Sequence, residues 1–259
     1  MAPTRAAGAP GAALVRVLAD PEAVSAAGAE LACELAAGAI AARGAFRVAL
    51  SGGSTPRRML ELLACEPRRS RVDWSRVRIF FGDERAVAPD HADSNYGMAQ
   101  RALLARVPLA PGQVHRMRGE APDLARAADE YALEIAREFG VAAEGPPPAF
   151  DLIYLGLGGD AHTASLFPGT PALAERRRWV VANPVAEQAT TRLSFSPPLL
   201  CAAREVAFLV AGASKRAALR AVLDGPRDPQ RYPAQLVQPA CGRVRWLVDA
   251  AARASAEER

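Results

Sequence analysis

"VALSGGSTPRRML", residues Val48 to Leu60, passes from an apolar run through two glycines, a serine, a threonine and a proline into a helical pattern. A strand that stops against the start of a helix reads this way, with Thr55 placed to cap and Pro56 at the favoured first helical position. The same alternation recurs along the chain. "FRVAL" (Phe46–Leu50), "VRIFF" (Val77–Phe81), "FDLIYLGL" (Phe150–Leu157), "EVAFLVAG" (Glu205–Gly212) and "VRWLVD" (Val244–Asp249) are short, nearly continuous apolar runs separated by helical periodicity. Strands without polar alternation are buried on both faces, so the pattern predicts an α/β fold: a mostly parallel open sheet with helices on both faces.

Pro21 to Ala42 reads as an alanine-rich helix that opens the fold, and "PDLARAADEYALEIAREFG" as a second. The latter starts with Pro122, carries Leu124, Tyr131, Ile135 and Phe139 at helical spacing, and stops at Gly140. "EGPPPAF" resets the chain as a loop within one domain. The Ala/Gly/Pro-rich residues 1–11 read as a disordered tail and residues 12–259 as a single domain. No internal repeat is visible.

The 259 residues are 50% hydrophobic and 23% charged, with a formal charge of +4 and a single lysine, Lys215, among 32 basic residues. The arginines are scattered in pairs, which argues against nucleic acid and suits small acidic molecules; the run Arg176, Arg177, Arg178 reads as solvated surface. Four dispersed cysteines and three histidines have no metal-ligand spacing, so no metal site or disulfide framework is expected and a reducing cytoplasm fits. The first apolar stretch, "AALVRVLAD", is interrupted by Arg16 and Asp20. Nothing later approaches the apolar length of a membrane span, so no membrane partner is expected.

Ligands of open α/β sheets bind beyond the carboxyl ends of the strands. At the first such end, the main chain of Gly52, Gly53 and Ser54, with Thr55, makes either a phosphate cradle at a helix N-terminus or an ordinary turn. No Lys-[Ser/Thr] of a Walker loop follows, and G-x-G-x-x-G is absent. At the second, Asp83, Glu84 and Arg85 in "FFGDERAVAPDHADSNYGMAQ" form either a site or an internal ion-pair network, before a helix that starts near Asp93 and Ser94. At the third, "DLIYLGLGGDAHTASLFPGT", three glycines clear the strand exit and Asp160 and His162 follow, with a helix start expected at Thr163 to Leu166. Histidine takes a proton near neutral pH and a carboxylate orients it, so this pair points to general-base chemistry. Arg192 in "TTRLSFSPP" and Lys215 in "VAGASKRAAL" supply cations. Lysine in a helix's first turn opposes the dipole unless an anion lies between them. His91 borders the second strand's loop, and His115 in "GQVHRMRG" reads as structural.

In their order, "SGGSTP", "FGDERAV", "DSNYGMA", "GLGGDAHTASLFPG" and "GASKRAAL" resemble the lactone-hydrolysing branch of the glucosamine-6-phosphate isomerase/6-phosphogluconolactonase superfamily, from about Val24 to Ala252. The resemblance implies a Rossmann-like fold and cytoplasmic hydrolysis of 6-phospho-D-glucono-1,5-lactone in the pentose phosphate pathway. It implies no cofactor and a phosphorylated sugar lactone as partner; a monomer or small homo-oligomer is expected, with the oligomeric state itself not legible in the sequence. Carried onto this chain, His162 is the base and Asp160 its support. Gly52, Gly53, Ser54, Arg192 and Lys215 hold the phosphate, and Arg85 faces the substrate or the oxyanion. The family pattern has glycine where Ala161 stands here; at positive φ an alanine costs on the order of 1 kcal/mol. Two alternatives stay open: a glucosamine-6-phosphate deaminase, whose second motif resembles Asp-Glu-Tyr rather than Asp83-Glu84-Arg85, and a non-catalytic sugar-phosphate-binding protein.

Overall fold

The computed structural model describes residues 14–254, so the tail expected over residues 1–11 lies outside the described residues. In chain order the strands are β1 (Leu14–Leu18), β2 (Phe46–Leu50), β3 (Val77–Phe81), β4 (Asp83–Arg85), β5 (Leu152–Leu155), β6 (Val180–Val185), β7 (Thr190–Phe195), β8 (Glu205–Val210) and β9 (Arg243–Asp249). The helices are α1 (Pro21–Arg43), α2 (Ser54–Leu63), α3 (Asn95–Ala102), α4 (Leu124–Phe139), α5 (Pro197–Ala202), α6 (Arg216–Leu223) and α7 (Ala250–Arg253).

Six strands form one parallel sheet in the order β1-β9-β8-β5-β2-β3. All five apolar runs of the sequence are in it, joined at one edge by β1, whose exposed LVRVL hid its role because it pairs with β9 alone. Each strand sends alternate residues to opposite faces. Val48 and Leu50 of β2, with Ala207 and Leu209 of β8, pack on α1, α2 and α3. Ala49, Val206, Phe208 and Val210 pack towards α4, α5 and α6.

A second, antiparallel sheet of order β4-β7-β6 is the main departure from the pattern of the sequence. Its strand β4 is three charged residues, β7 opens on Thr190, Thr191 and Arg192, and β6 carries Asn183 and Pro184; proline fits because β6 is an edge strand. The ribbon still buries Val180, Val181, Leu193 and Phe195 in the same core as α4.

Helix α1 is 23 residues long with a hydropathy of 1.4, long and apolar enough to cross a membrane, which corrects the reading that no segment is. Its alanines produce that value, and its inner face of Val24, Leu31, Ala32 and Ala36 is packed in the core. Asp20 caps it by accepting the Ala23 N–H at 2.8 Å.

Two helix starts shift from expectation. Helix α2 begins at Ser54 with Gly53 as its N-cap, not at Pro56 behind Thr55, because φ of +110° at Gly53 turns the chain earlier. Helix α4 begins at Leu124, since the Asp123 carboxylate accepts the Arg126 N–H at 2.9 Å. No helix starts at Thr163 to Leu166. Ala161 and Ala164 have φ of +65° and +47°, so the chain forms turns there, with a bridge between Thr163 and Leu166.

The end of β3, which delivers the chain to β4, is fixed by Tyr131 of α4. Its buried hydroxyl accepts the Phe81 N–H at 2.9 Å and donates to the His115 carbonyl at 2.9 Å. Tyr131→Phe strands a buried donor and a buried acceptor, so stability should fall by about 1–3 kcal/mol in urea unfolding. An unchanged midpoint would mean that the end of β3 is held without this hydroxyl.

Candidate active site

In the sheet order, β3, β2, β5 and β8 are successive neighbours, so their carboxyl ends stand side by side and the chains leaving them share one rim. A cleft of about 340 Å³ opens there. Its wall is formed by residues 51–56 after β2, Asp83 and Arg85 on β4, Gly156 to Gly158 and His162 after β5, Gln188 and Arg192 of the β6–β7 hairpin, and Lys215 after β8. Residues separated by more than 160 positions in sequence thus meet at one place.

On the floor, α2 points its first turn into the cleft. The first N–H groups of a helix have no partner inside it, and the helix dipole adds partial positive charge there. Ser51, directly after β2, contributes a buried hydroxyl that has no hydrogen-bond partner among the described residues.

His162 also lines the cleft; its Nδ1 lies 2.6 Å from Asp160 Oδ1, and Asp160 Oδ1 also accepts the His162 N–H at 3.1 Å. The ring stacks on Phe167 with centroids 4.2 Å apart. Nδ1 being engaged, Nε2 is the nitrogen left to meet a ligand or water. Partial burial raises the Asp160 pKa, but the hydrogen bond and the charge of His162 outweigh it and hold the carboxyl below its ordinary value. Gly158 makes the pair sterically feasible: a Cβ there would lie 2.1 Å from His162 Nδ1 and 2.4 Å from Asp160 Oδ1. Ala161 has the positive φ at which its replacement of glycine matters, yet the Asp160–His162 contact is intact.

Asp83 lies buried in the cleft wall. Ser165 Oγ donates to its Oδ2 at 2.8 Å, and Asn95 Nδ2 donates to its Oδ1 at 3.1 Å. Arg85 and Arg192 face each other directly across the β4–β7 ladder. Burial first, and then the Arg85 charge, lower the Arg192 pKa against the pull of Asp83, Asp93 and Glu84. Among the described residues, Arg85, Arg192 and Lys215 have no carboxylate within 4.0 Å. Three cations without a close acid and a helix N-terminus give this cleft a positive field.

Two residues proposed from sequence lie elsewhere. Glu84 is 2% exposed, and its carboxylate accepts the N–H groups of Arg85, Asn95 and Tyr96, each at 2.8 Å, so it caps α3 and does not line the cleft. Burial raises its pKa against those hydrogen bonds. His91 is also absent from the lining; it is exposed, with Nδ1 accepting the Asp93 N–H at 3.1 Å. Conversely, sequence reading missed Ser51, Asn95, Ser165 and Gln188. The first three stand within or beside motifs quoted for other residues, which was the available signal. Gln188 stands in an unremarkable hairpin.

The family of glucosamine-6-phosphate isomerases/6-phosphogluconolactonase matches residues 19–246 of the chain. A protein of Synechocystis sp. named 6-phosphogluconolactonase is 46% identical over 211 residues, covering 82% of this chain and 85% of its own. A Nostoc sp. protein of the same name is 40% identical over 240 residues, covering 93% and 97%. The solved structure of 6-phosphogluconolactonase from Trypanosoma cruzi superposes with a TM-score of 0.81 at 29% identity, covering 93% of this chain and 95% of that one.

The Asp160–His162 contact is open to titration. Because the folded Asp160 carboxyl titrates below its unfolded value of about 3.9, the pair's contribution to stability is present above that pH and is lost as pH falls through the folded pKa. Gly158→Ala should force the two side chains apart and move the Asp160 midpoint, read by carbon-13 NMR, upward. An unmoved midpoint would show that the contact does not hold it down.

Proposed function

The chain belongs to the glucosamine-6-phosphate isomerase/6-phosphogluconolactonase family, and we propose that within it this protein hydrolyses 6-phospho-D-glucono-1,5-lactone to 6-phospho-D-gluconate, in the cytoplasmic pentose phosphate pathway. The observation that carries this reading is the meeting of two unlike parts in one cleft: the paired His162 and the first turn of α2. The names and the shared length of the cyanobacterial relatives support the same activity.

A δ-lactone is an activated ester, so its hydrolysis needs a base for water and donors for the charge that forms on the carbonyl oxygen. In this reading His162 Nε2 takes a proton from water as the water oxygen bonds to C1. The Asp160 carboxylate holds the ring through Nδ1 and stabilises its charged form. Collapse of the tetrahedral carbon breaks the C1–O5 bond, and the imidazolium returns its proton to O5. The phosphate, remote from the reacting carbon, rests on the main chain at Gly52, Gly53 and Ser54 with Lys215 beside it, and its binding energy orients the ring. Nothing in these steps calls for a covalent nucleophile or a redox group.

His162→Ala should lower lactone turnover by about 10²- to 10⁴-fold while leaving 6-phosphogluconate affinity nearly intact; the measure is a coupled assay on freshly made lactone. Unchanged turnover would remove the histidine from the mechanism. Ammonia released from glucosamine 6-phosphate would instead identify a deaminase, and tight binding without turnover of either compound a binding protein. Lys215→Ala should act mainly on KM, with kcat changing less, and an unaltered KM would take the lysine away from the phosphate.

A further inference from the structure

Two like charges placed directly opposite each other on an antiparallel ladder repel, and Arg85 and Arg192 hold that position across β4 and β7. The chain does little to relieve them. Arg85 Nη1 donates to the Asp93 carbonyl, and Arg192 Nη2 donates to the Gln188 side-chain oxygen at 2.7 Å. Among the described residues, the buried Arg192 Nε has no partner. Asp83, the carboxylate on the same strand as Arg85, accepts from Ser165 and Asn95, and Glu84 accepts from the start of α3. Donors of two guanidiniums therefore stand in the cleft wall without an acid of their own.

Their place relative to His162 follows from the hydrogen bonds around Ser165. Three residues beyond His162, Ser165 donates its Oγ to Asp83, two residues before Arg85, and its N–H to Ser194 Oγ at 3.2 Å, two residues beyond Arg192. The histidine loop is thus fastened to β4 and β7, the strands that carry the arginines. Lys215 follows β8, on the far side of β5 from both β2 and β3.

We propose that Arg85 and Arg192 form a second anion seat, separate from the phosphate cradle, that receives the carboxylate created when the lactone ring opens. This rests on the lactonase reading, and it moves Arg192 from the phosphate end, where the family resemblance put it, to the reacting end. Ring opening adds water at C1, breaks C1–O5, leaves a proton on O5, and gives an acid that ionises by losing its proton to solvent. C1 therefore changes from a neutral ester to a carboxylate. A seat of unpaired guanidiniums interacts weakly with the former and strongly with the latter, and with the oxyanion that precedes it. The cleft would accordingly grip the product at both ends and prefer phosphorylated aldonates to phosphorylated sugars that are neutral at C1.

The test is calorimetric titration of 6-phosphogluconate and glucitol 6-phosphate, which share the phosphate and differ at C1. Wild type should bind the gluconate about ten- to a hundredfold more tightly. Arg192→Gln should abolish most of that preference while leaving glucitol 6-phosphate affinity nearly unchanged, and Arg192→Lys should restore part of it. Equal affinities in wild type would overturn the proposal, as would a glutamine variant that weakens both ligands alike, since that places Arg192 on the phosphate. Should Arg192→Gln fail to fold, Arg85→Gln is read by the same criteria. Lactone turnover by wild type is measured separately. Its absence would count against the lactonase reading, whereas turnover without an arginine-dependent preference would count against the seat alone.

Discussion

The 2.8 Å hydrogen bond from Ser165 Oγ to Asp83 Oδ2 joins the two halves of the cleft. The chain after β5 forms no helix until the short turn at Pro171–Ala174, so apolar periodicity does not fix where His162 stands. Polar contacts do. Besides the bond to Asp83, Ser165 donates its N–H to Ser194 and accepts from Asn183 Nδ2 at 2.9 Å, while Thr163 Oγ1 donates to the Gly156 carbonyl at 2.9 Å. Asp83 accepts in turn from Asn95, the first residue of α3. One buried carboxylate thereby connects β4, α3 and the histidine loop. A buried network of this kind rigidifies a site when its members are satisfied and is costly when they are not.

The charge of the molecule is distributed to the same end. Away from the cleft, acids gather arginines: buried Asp151 meets Arg43 and Arg204, buried Glu205 meets Arg243 and Arg245, and half-buried Glu138 meets Arg47 and Arg78. In the cleft the ratio reverses, with three cations lacking a close acid and Asp83 engaged by neutral donors. A net charge of +4 on the sequence therefore understates the local field, because much of the basic surface is neutralised pair by pair. Cations held apart from acids reduce folded stability through mutual repulsion, and they raise the local concentration and the hold of a doubly charged ligand.

Legibility in the sequence followed the physical source of each feature. The five buried parallel strands were readable because burial on both faces favours nearly continuous apolar runs, broken here mainly at the strand ends and by arginines such as Arg47 and Arg78, and Gly140 announced the end of α4 because its left-handed conformation closes the helix there. The second sheet was not readable: β4 has only three residues, all charged, β7 opens on Thr190, Thr191 and Arg192, the β6 edge includes Asn183 and Pro184, and the ribbon packs against α4. For the cleft, residues with distinctive chemistry, such as His162, Asp160 and Lys215, stood out before any coordinates. Ser165 and Asn95 did not, since a serine or asparagine acquires its role only from the partner that folding brings to it. Glu84 misled for the complementary reason. Beside Asp83 and Arg85 it had the composition of a site, but alternation along β4 gives neighbouring residues opposite faces, and Glu84 turns to the start of α3.

Backbone strain enters at the same loop. Ala161 and Ala164, on either side of His162, both occupy the left-handed region, which costs an L-residue about 1–2 kcal/mol each. Glycine would relieve that cost, but it would widen the range of conformations in a segment without regular structure. The methyl group of Ala161 is fully buried, and its carbonyl accepts the Ala234 N–H at 3.1 Å. The Gly158 N–H donates to the His162 carbonyl at 2.8 Å, and the Ala161 N–H to the Gly158 carbonyl at 3.1 Å. The turn is thus held by neighbours on both sides, so the strain is borne by the fold and the imidazole is presented to the cleft in a defined orientation. In the proposed hydrolysis, where the imidazole must meet water at one angle, a fixed turn gains more than the strain costs.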